Sequence, residues 1–259
     1  DIDADEPGIV EIDWEGDGTA DVTETYLSGG THGFTASGLP EGTHPIDVQF
    51  TDLAGNLTNA GLPTTIDRTS PATPDNPDLR TTSDSGVSSA DNVTRVSAPV
   101  FDVATTDLYF RFYRDGALLS DDYEAGAMYE VGAQPEGAWD YAVSGVDAAG
   151  NESGLSPVLT VLIDTTAPAV PGPPDLQRSS DSGVDDTDDL TNVTSPTFNV
   201  VSTDSYFRFY AGDTRAGGDY ESGAAFTVVG AGEGTETYRV SGVDAAGNES
   251  ARSGSLQVT

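Results

Sequence analysis

The sequence predicts an all-β protein built from tandem sandwich domains, and three observations lead to this prediction. Residues Asp67 to Leu162 recur as Asp164 to Thr259 at a constant offset of 97, without a gap. A period of this length is typical of an array of small domains rather than of a solenoid. Short aromatic and β-branched runs alternate with clusters of Gly, Asp, Asn and Ser, and no long helical period is present.

Each copy of the repeat opens with a Pro-rich stretch, Asp67–Leu79 in one and Asp164–Leu176 in the next. Because Pro removes backbone donors and holds the chain extended, we expect stiff linkers that lead into a first strand. A turn-rich segment follows in each copy, Ser83–Thr94 and Ser180–Thr191. The linker and the turn-rich segment together place the regular strands in the second half of each repeat.

Five strands are predicted there at roughly ten-residue spacing. In the first complete copy they cover Val100–Ala104, Leu108–Tyr113, Ala127–Val131, Tyr141–Val146 and Pro157–Ile163, with partners 97 residues later. Strands at this spacing indicate a β-sandwich of about 100 residues, the size of an immunoglobulin-like (Ig-like) domain.

The aromatic run Tyr109–Tyr113, repeated as Tyr206–Tyr210, fits one of these strands. Alternation would place Phe110 and Phe112 on the core face of the sheet. On the opposite face, Arg111 would pair with neighbouring aromatic rings through cation-π contacts. We favour this structural role over stacking on a glycan.

The 259 residues therefore divide into three domains, 1–66, 67–163 and 164–259. The first resembles the others only near its end, where Asp52–Asn56 corresponds to Asp147–Asn151 at an offset of 95. Counting back from this match, we expect the first domain to be a truncated Ig-like domain that lacks its opening third. An incomplete sandwich exposes a sheet edge, so we expect this domain to be the least stable.

The charge excludes several classes of partner. Forty-four acidic residues against 10 basic ones give a net charge of -34, which would repel nucleic acid and anionic membrane. Selection for salt tolerance or solubility would also give such a composition, but divalent metal would neutralise the self-repulsion economically. Cys is absent, so a structural metal could act in place of disulfides. No apolar run approaches about 18 residues, and membrane insertion is not expected.

Catalysis has little support in the sequence. The two histidines, His32 and His44, both lie in the first domain, so neither complete repeat can assemble a Ser-His-Asp or Cys-His arrangement. Paired carboxylates are plentiful, but thin sandwiches offer no obvious substrate cleft for a glycosidase. We therefore expect a protein that is not an enzyme, with an enzyme fragment as the weakest alternative.

Acidic residues at predicted loops form two sets of candidate metal ligands. Calcium takes about six to eight oxygens, which loops can supply, and clustered carboxylates repel one another unless a cation lies between them. In an Ig-like topology the entering linker, the loop between the second and third strands, and the loop between the last two strands meet at one end. The residues at these places are Asp67, Asp107, Asp147 and Asn151 in one copy and Asp164, Asp204, Asp244 and Asn248 in the next. Our first hypothesis places calcium at each domain junction.

The second set lies within each domain. Asp84 and Asp91 are seven residues apart, with a Gly two positions after the first, so a loop can fold back and offer several oxygens together. Asp78 comes shortly before this pair, and the corresponding residues of the next repeat are Asp175, Asp181 and Asp188. The alternative is that these side chains only cap turns through local hydrogen bonds.

A third candidate is the segment Asp13–Gly18 with Asp21, which has the spacing of the opening of an EF-hand loop. The flanking residues have the pattern of strands. A hairpin with an Asp-Gly turn is therefore the interpretation that we favour.

Three motifs together resemble a known family. They are the linker D-T-T-A-P, the segment S-D-S-G-x-x-x-x-D-x-x-T, and the closing V-S-G-V-D-A-A-G-N-E-S. They resemble the bacterial Ig-like repeats of very large secreted adhesins, including those of the RTX type. The resemblance implies an elongated array of domains that bind calcium in and between modules, on the bacterial cell surface or outside the cell. It implies a monomeric extender whose partners are calcium ions and neighbouring repeats of the same polypeptide.

One alternative function stays open from the sequence. The chain could be a calcium-dependent glycan-binding module of a polysaccharide-active or surface protein. The exposed aromatic and acidic strip around Tyr109 and Tyr206 would then contact the sugar.

Overall fold

The computed structural model describes residues 1–259 and contains strands and loops but no helix. No element of the chain is therefore a helix of the length and apolarity that crossing a membrane requires. The residues form two units, one made of 1–72 with 146–153 and the other of 73–145 with 154–259. Three separate hydrophobic cores lie in these units, one in each of the three predicted domains.

The first core is small and belongs to a four-stranded antiparallel sheet of order β3-β2-β5-β6, beside a two-stranded sheet β1-β4. Val10, Ile12 and Ile46 are its buried residues. The strands are β1 (Ile2–Ala4), β2 (Gly8–Asp13), β3 (Val22–Tyr26), β4 (Gly30–His32), β5 (Gly42–Asp52) and β6 (Leu57–Ile66).

The second core lies between a five-stranded and a three-stranded sheet, of orders β11-β10-β13-β14-β8 and β12-β9-β7. Phe101 of the smaller sheet contacts Phe112 and Tyr141 of the larger one, so the two sheets form a sandwich. The strands are β7 (Asp78–Leu79), β8 (Val93–Thr94), β9 (Val100–Asp102), β10 (Tyr109–Arg114), β11 (Ala117–Leu118), β12 (Met128–Glu130), β13 (Gly137–Val146) and β14 (Leu159–Ile163).

The third core repeats this arrangement, with sheets of orders β15-β16-β20 and β18-β17-β21-β22 and with β19 paired to β17. Phe198 takes the place of Phe101 and contacts Phe209 and Tyr238. The strands are β15 (Asp175–Leu176), β16 (Thr197–Asn199), β17 (Tyr206–Ala211), β18 (Thr214–Arg215), β19 (Glu221–Ser222), β20 (Ala225–Thr227), β21 (Glu236–Val243) and β22 (Leu256–Val258).

The all-β, tandem Ig-like architecture predicted from the sequence is confirmed. Individual strands differ from the prediction mainly at their ends, and the reason is the partner strand. β13 begins at Gly137 rather than Tyr141 because β14 pairs with it from Tyr141 back to Gly137. β14 begins at Leu159, two residues after Pro157, whose ring nitrogen cannot donate to a ladder.

The turn-rich segment enters each sandwich at the same place. In the second domain, Val93 and Thr94 of β8 run parallel to the end of β14. In the third, Thr191 donates its N–H to Thr259 O at 2.9 Å and Thr259 donates to Asp189 O at 3.1 Å. In both domains the turn-rich segment is thereby held against the last strand of its own domain.

Candidate functional site

The loop Asp-x-Ala-Gly-Asn occurs three times with one geometry. In the third domain, Asp244 Oδ1 accepts the Asn248 N–H and Oδ2 accepts the Asn248 side-chain amide, both at 2.9 Å. Gly247, at φ +88°, occupies the left-handed region that favours glycine. The loops at Asp147 and Asp52 close through the same bonds. These aspartates therefore close turns.

Hydrogen bonding accounts for the acidity of two of these aspartates. The amide side chain of Asn151 is the main cause that holds the pKa of Asp147 below its ordinary value, and backbone N–H groups add to it. Asn56 lowers the pKa of Asp52 in the same way. Both carboxylates are therefore stabilised in the ionised form without a metal.

The same asparagines also fix the linkers. Asn248 donates its side-chain amide to the backbone carbonyl of Asp164 at 2.7 Å, and Asn151 donates to that of Asp67 at 3.0 Å. The predicted partnership between linker and loop is thus present in both repeats. The atom that Asp67 and Asp164 contribute to it is a carbonyl oxygen rather than a carboxylate.

The carboxylate of Asp164 faces Glu136, a residue of the second domain. Burial raises the pKa of Asp164, and its hydrogen bond to Glu136 and the negative charge of Asp244 raise it further. Glu136 accepts the backbone N–H groups of Thr165 and Thr166 at 2.8 and 2.9 Å, and the Thr166 hydroxyl lowers its pKa most. Three acidic side chains therefore influence one another at the junction of the second and third domains.

Asp107 and Asp204 lie against the strands that lead into the loops at Asp147 and Asp244. The carboxylate of Asp204 lies so close to Gly242 that a Cβ built there would be 2.7 Å from Oδ2, and Asp107 lies against Gly145 in the same way. Thr105 donates its hydroxyl to Asp107 Oδ2 at 3.1 Å. The structure does not gather three or more His, Cys, Asp or Glu side chains into an arrangement able to hold a metal ion. Metal binding by the junction residues stays a prediction.

The second set of candidates contains a buried carboxylate with an unpaired oxygen. Asp84 is 4% exposed; its Oδ2 accepts the N–H of Asn92 at 3.2 Å, whereas Oδ1 is buried without a hydrogen-bond partner. Burial raises the pKa of Asp84, and the negative charges of Asp91 and Asp78 contribute to the rise. An unpaired carboxylate oxygen among like charges is unfavourable, and a cation at Oδ1 would remove both penalties.

The third domain repeats this feature. Asp181 is 6% exposed; Oδ2 accepts the N–H of Asp189 at 3.2 Å, and Oδ1 again has no partner. Burial raises the pKa of Asp189, and the charges of Asp181, Asp175 and Asp188 add to the effect. The same unsatisfied atom at the same repeat position in two domains fits a hard, oxygen-seeking cation such as calcium.

Asp91 and Asp188 have a local role as well. Each is exposed, and each accepts a backbone N–H two residues later, from Val93 at 3.2 Å and from Leu190 at 3.1 Å. They cap turns, as the alternative interpretation expects. Asp175 accepts the side-chain amide of Asn199 at 3.0 Å, and Asp78 is exposed at the start of β7.

Two acidic residues at these sites were not among the sequence candidates. Glu136 recurs as Glu233 and Glu41 at the equivalent positions, each before a Gly, and this recurrence was the available signal. Asp189 corresponds to Asn92, and both occupy the left-handed region, at φ 58° and 59°. Asn and Asp both carry a side-chain oxygen, so their occurrence at the same position of two repeats could have identified that position as a candidate ligand.

The segment at Asp13 is a hairpin loop, as favoured from the sequence. Asp13 Oδ1 accepts the N–H of Gly16 and Oδ2 that of Gly18, both at 2.7 Å. Burial acts to raise the pKa of Asp13, but backbone N–H donors outweigh it and lower the pKa. The carboxylate therefore organises the turn between β2 and β3.

The aromatic strip has the predicted structural arrangement. Phe110 and Phe112 are buried in the core, and the guanidinium of Arg111 lies 5.6 Å from the ring centre of Tyr123. Tyr109 packs edge-on against Tyr123 at 5.7 Å. The third domain repeats the cation-π contact with Arg208 and Tyr220 at 5.7 Å.

Comparison with known proteins gives a family and several distant folds. The sequence profile of the bacterial Ig-like domain matches residues 70–165 and 167–259. No curated protein matches the chain.

Three solved structures are similar in fold. Fibronectin(III)-like modules of Clostridium thermocellum CbhA are 20% identical, with a TM-score of 0.42 over 64% of this chain and 86% of theirs. A 1.5-MDa bacterial ice-binding adhesin is 18% identical, with a TM-score of 0.34 over 100% of this chain and 86% of its own. A Ca2+-stabilised adhesin that helps an Antarctic bacterium bind ice is 15% identical, with a TM-score of 0.34 over 99% of this chain and 65% of its own.

Proposed function

The chain belongs to the bacterial Ig-like domain family, and on that premise we propose that it is a calcium-stiffened extender segment of a bacterial cell-surface adhesin. Its role is mechanical: three domains, 1–66, 67–163 and 164–259, form an elongated, monomeric rod outside the cell. The rod holds another part of the polypeptide at a distance. The segment contributes calcium binding and rigidity rather than catalysis.

One observation carries the calcium part of the proposal. The buried oxygens Asp84 Oδ1 and Asp181 Oδ1 lack hydrogen-bond partners at equivalent positions of two domains. Each has further carboxylates close enough to raise a pKa at the site. A bound cation would satisfy the oxygen and reverse the sign of its interaction with those neighbours.

The residues that would hold calcium follow from these positions. Asp84 supplies the buried oxygen in the second domain, with Asp78 and Asp91 nearby. Asp181 supplies it in the third domain, with Asp175, Asp188 and Asp189. Calcium would act there as a structural cross-link between β7 or β15 and the turn-rich loop.

The junction between domains provides a second place for calcium. Asp164, Asp244 and Glu136 already influence one another there, and the carbonyl of Asp164 is tied to Asn248. An ion bound between the linker and the two domains would couple the interdomain angle to calcium. We expect affinities of roughly 0.1 to 1 mM, as in other extracellular modules, so that the segment is stiff where calcium is plentiful.

Isothermal calorimetry tests the proposal by counting sites. Asp84→Asn and Asp181→Asn should each remove one calcium ion per chain relative to the unchanged protein. Glu130→Gln, which removes one charge at an exposed position of β12, is the control and should leave the count unchanged. The proposal fails if the unchanged protein takes up no calcium at millimolar concentration, or if all three variants bind as many ions as it does.

A further inference from the structure

The second and third domains meet through a loop of one and a turn of the other. We call Ser83–Val87 with Arg95 the socket, and Asp244–Asn248 the plug. Ser85 donates its hydroxyl to Ala246 O at 3.0 Å, Val87 donates its backbone N–H to Ala245 O at 3.2 Å, and Arg95 donates to Gly247 O. The socket therefore donates hydrogen bonds to three successive backbone carbonyls of the plug.

The fit is close enough to demand small residues on both sides. A Cβ built on Gly86 would lie 2.0 Å from Ala245 O, and one built on Gly247 would lie 2.9 Å from Gly86 Cα. Ala246 is fully buried. Ala246 and Gly247 of the plug and Gly86 of the socket are therefore small because larger side chains would clash across the joint. The two glycines also provide the backbone conformation that each turn needs.

The third domain carries the same socket without an occupant. Ser180–Val184 is identical in sequence to Ser83–Val87. Its internal bonds are also the same: Asn192 N–H donates to Ser182 Oγ at 2.8 Å, as Arg95 N–H donates to Ser85 Oγ at 2.9 Å. No atom lies within 4 Å of a Cβ built on Gly183, and Val184 is fully exposed.

We propose that this second socket, Ser180–Val184 with Asn192, docks the Asp-x-Ala-Gly-Asn plug of another Ig-like repeat joined to it in the same polypeptide. The Ser182 hydroxyl and the Val184 N–H are placed to receive two plug carbonyls, as Ser85 and Val87 do in the joint already formed. Asn192 stands where Arg95 stands, and its Oδ1 accepts the Ser182 hydroxyl at 2.9 Å, which leaves its amide hydrogens for the third carbonyl. A partner loop with larger side chains would clash at Gly183, so the surface selects this loop.

The amide of Val184 reports occupation of the socket. We would join a copy of residues 66–162 directly after Thr259, which preserves the offset of 97 and leaves the peptide around Val184 unique in the chain. Hydrogen exchange at Val184 should slow at least roughly tenfold relative to the unextended chain, because its N–H becomes bonded and covered. Val87, already bonded to Ala245 O, is the internal reference for a filled socket.

Two variants of the extended chain separate docking from folding. Gly183→Ala places a methyl group where the plug must lie. The substitution also strains the backbone at φ +124°, and the same variant of the unextended chain is the control because it carries the same strain. Ala149→Leu in the appended copy alone enlarges the plug at the position equivalent to the buried Ala246, without touching the socket. Both should return Val184 to fast exchange.

The proposal is overturned if Val184 exchanges equally fast in the extended and unextended chains while Val87 stays protected. It is also overturned if Val184 becomes protected in the unextended chain as protein concentration rises, because a second copy would then be the occupant. Neither readout depends on whether the chain binds calcium in the calorimetric experiment.

Discussion

Asn248 and Asp164, residues of the same domain, are joined by a hydrogen bond from the side-chain amide of Asn248 to the backbone carbonyl of Asp164, at 2.7 Å. The other amide hydrogen of Asn248 donates to Asp244 Oδ2 at 2.9 Å. One side chain thus closes its own loop and holds the linker that enters the domain. Asn248 is only 9% exposed, so water has little access to either hydrogen bond.

Replacing Asn248 with Ala should therefore lower the free energy of unfolding of the third domain. Two bonds are lost and two acceptors are left without their donor, so a loss of about 1–3 kcal/mol is expected. Asn56→Ala in the first domain is the matched control, because exposed Asn56 bonds to Asp52 but to no linker. Native-state hydrogen exchange of β21 and β5 measures the two losses separately, and equal losses would contradict the role assigned to the linker bond.

The pH dependence of stability without calcium should differ between domains. The pKa of Asp84 is raised above its ordinary 3.8, so the folded second domain binds this proton more tightly than the unfolded chain does. In chelator, its free energy of unfolding should therefore rise as the pH falls from 7 toward about 4. Asp52 has a lowered pKa, so the stability it gives the first domain is present above pH 3.8 and is lost only as the pH falls below that value.

Chemical unfolding followed at several pH values in chelator checks these signs. Asp84→Asn should raise the stability of the second domain at pH 7 in chelator and remove its gain on mild acidification. In calcium the same variant should be less stable than the unchanged protein. A variant that is destabilised equally in calcium and in chelator would show that Asp84 acts only as a turn cap.

The first domain should unfold at the lowest denaturant concentration. Its core has three buried hydrophobic residues, whereas that of the second domain has ten. The chain has two tryptophans, Trp14 packed on the first core and Trp139 on the second. Trp139→Phe and Trp14→Phe leave one reporter each, and the fluorescence midpoint of Trp14 should come first. Coincident midpoints would mean that the small core is compensated by other contacts.

Glu249 should be a strong polar support of the third domain. It accepts hydrogen bonds from Ser241 and Tyr210 and pairs with Arg208, whose side chain is 16% exposed. Burial acts to raise the pKa of Glu249, but these three donors outweigh it and lower the pKa. Glu249→Gln leaves the mostly buried guanidinium of Arg208 without its counter-charge and should lower the free energy of unfolding by about 1–3 kcal/mol.

The control for that variant is an exposed pair in the same domain. Arg252 and Asp213 are 3.2 Å apart with the carboxylate 96% exposed, so Asp213→Asn should cost less than about 1 kcal/mol. Hydrogen exchange of β21 compares both variants. Equal losses would show that the environment of Glu249 is no less hydrated than the surface.

The sequence predicted the fold because its signals were local and repeated. Alternation in the run Tyr109–Tyr113 determines which rings enter the core, and the cation-π contact of Arg111 with Tyr123 followed from the same alternation. Strand ends were less predictable, since the start of β13 depends on its pairing with β14. The residues Asp13 to Gly18 form a hairpin loop in which backbone N–H groups of Gly16 and Gly18 donate to the carboxylate of Asp13.

The candidate sites were predicted only in part, because side-chain contacts depend on the path of the loops. The sequence placed Asp107 and Asp204 with the linker and the last loop, and each lies against a glycine of the strand that leads into that loop, Gly145 or Gly242; their metal binding stays a prediction. It paired the linker with the Asp244 loop correctly, but the contact uses the carbonyl of Asp164. The unpaired oxygen of Asp84 has no sequence signature, because the burial of a single side-chain atom depends on tertiary packing.

Small-angle X-ray scattering of the full chain, with calcium and with chelator, measures whether calcium stiffens the segment. We expect a larger maximum dimension and a narrower range of interdomain geometries in calcium. The double variant Asp84→Asn/Asp181→Asn in calcium should scatter more like the unchanged protein in chelator. Superimposable profiles of the unchanged protein in the two buffers would rule out calcium stiffening.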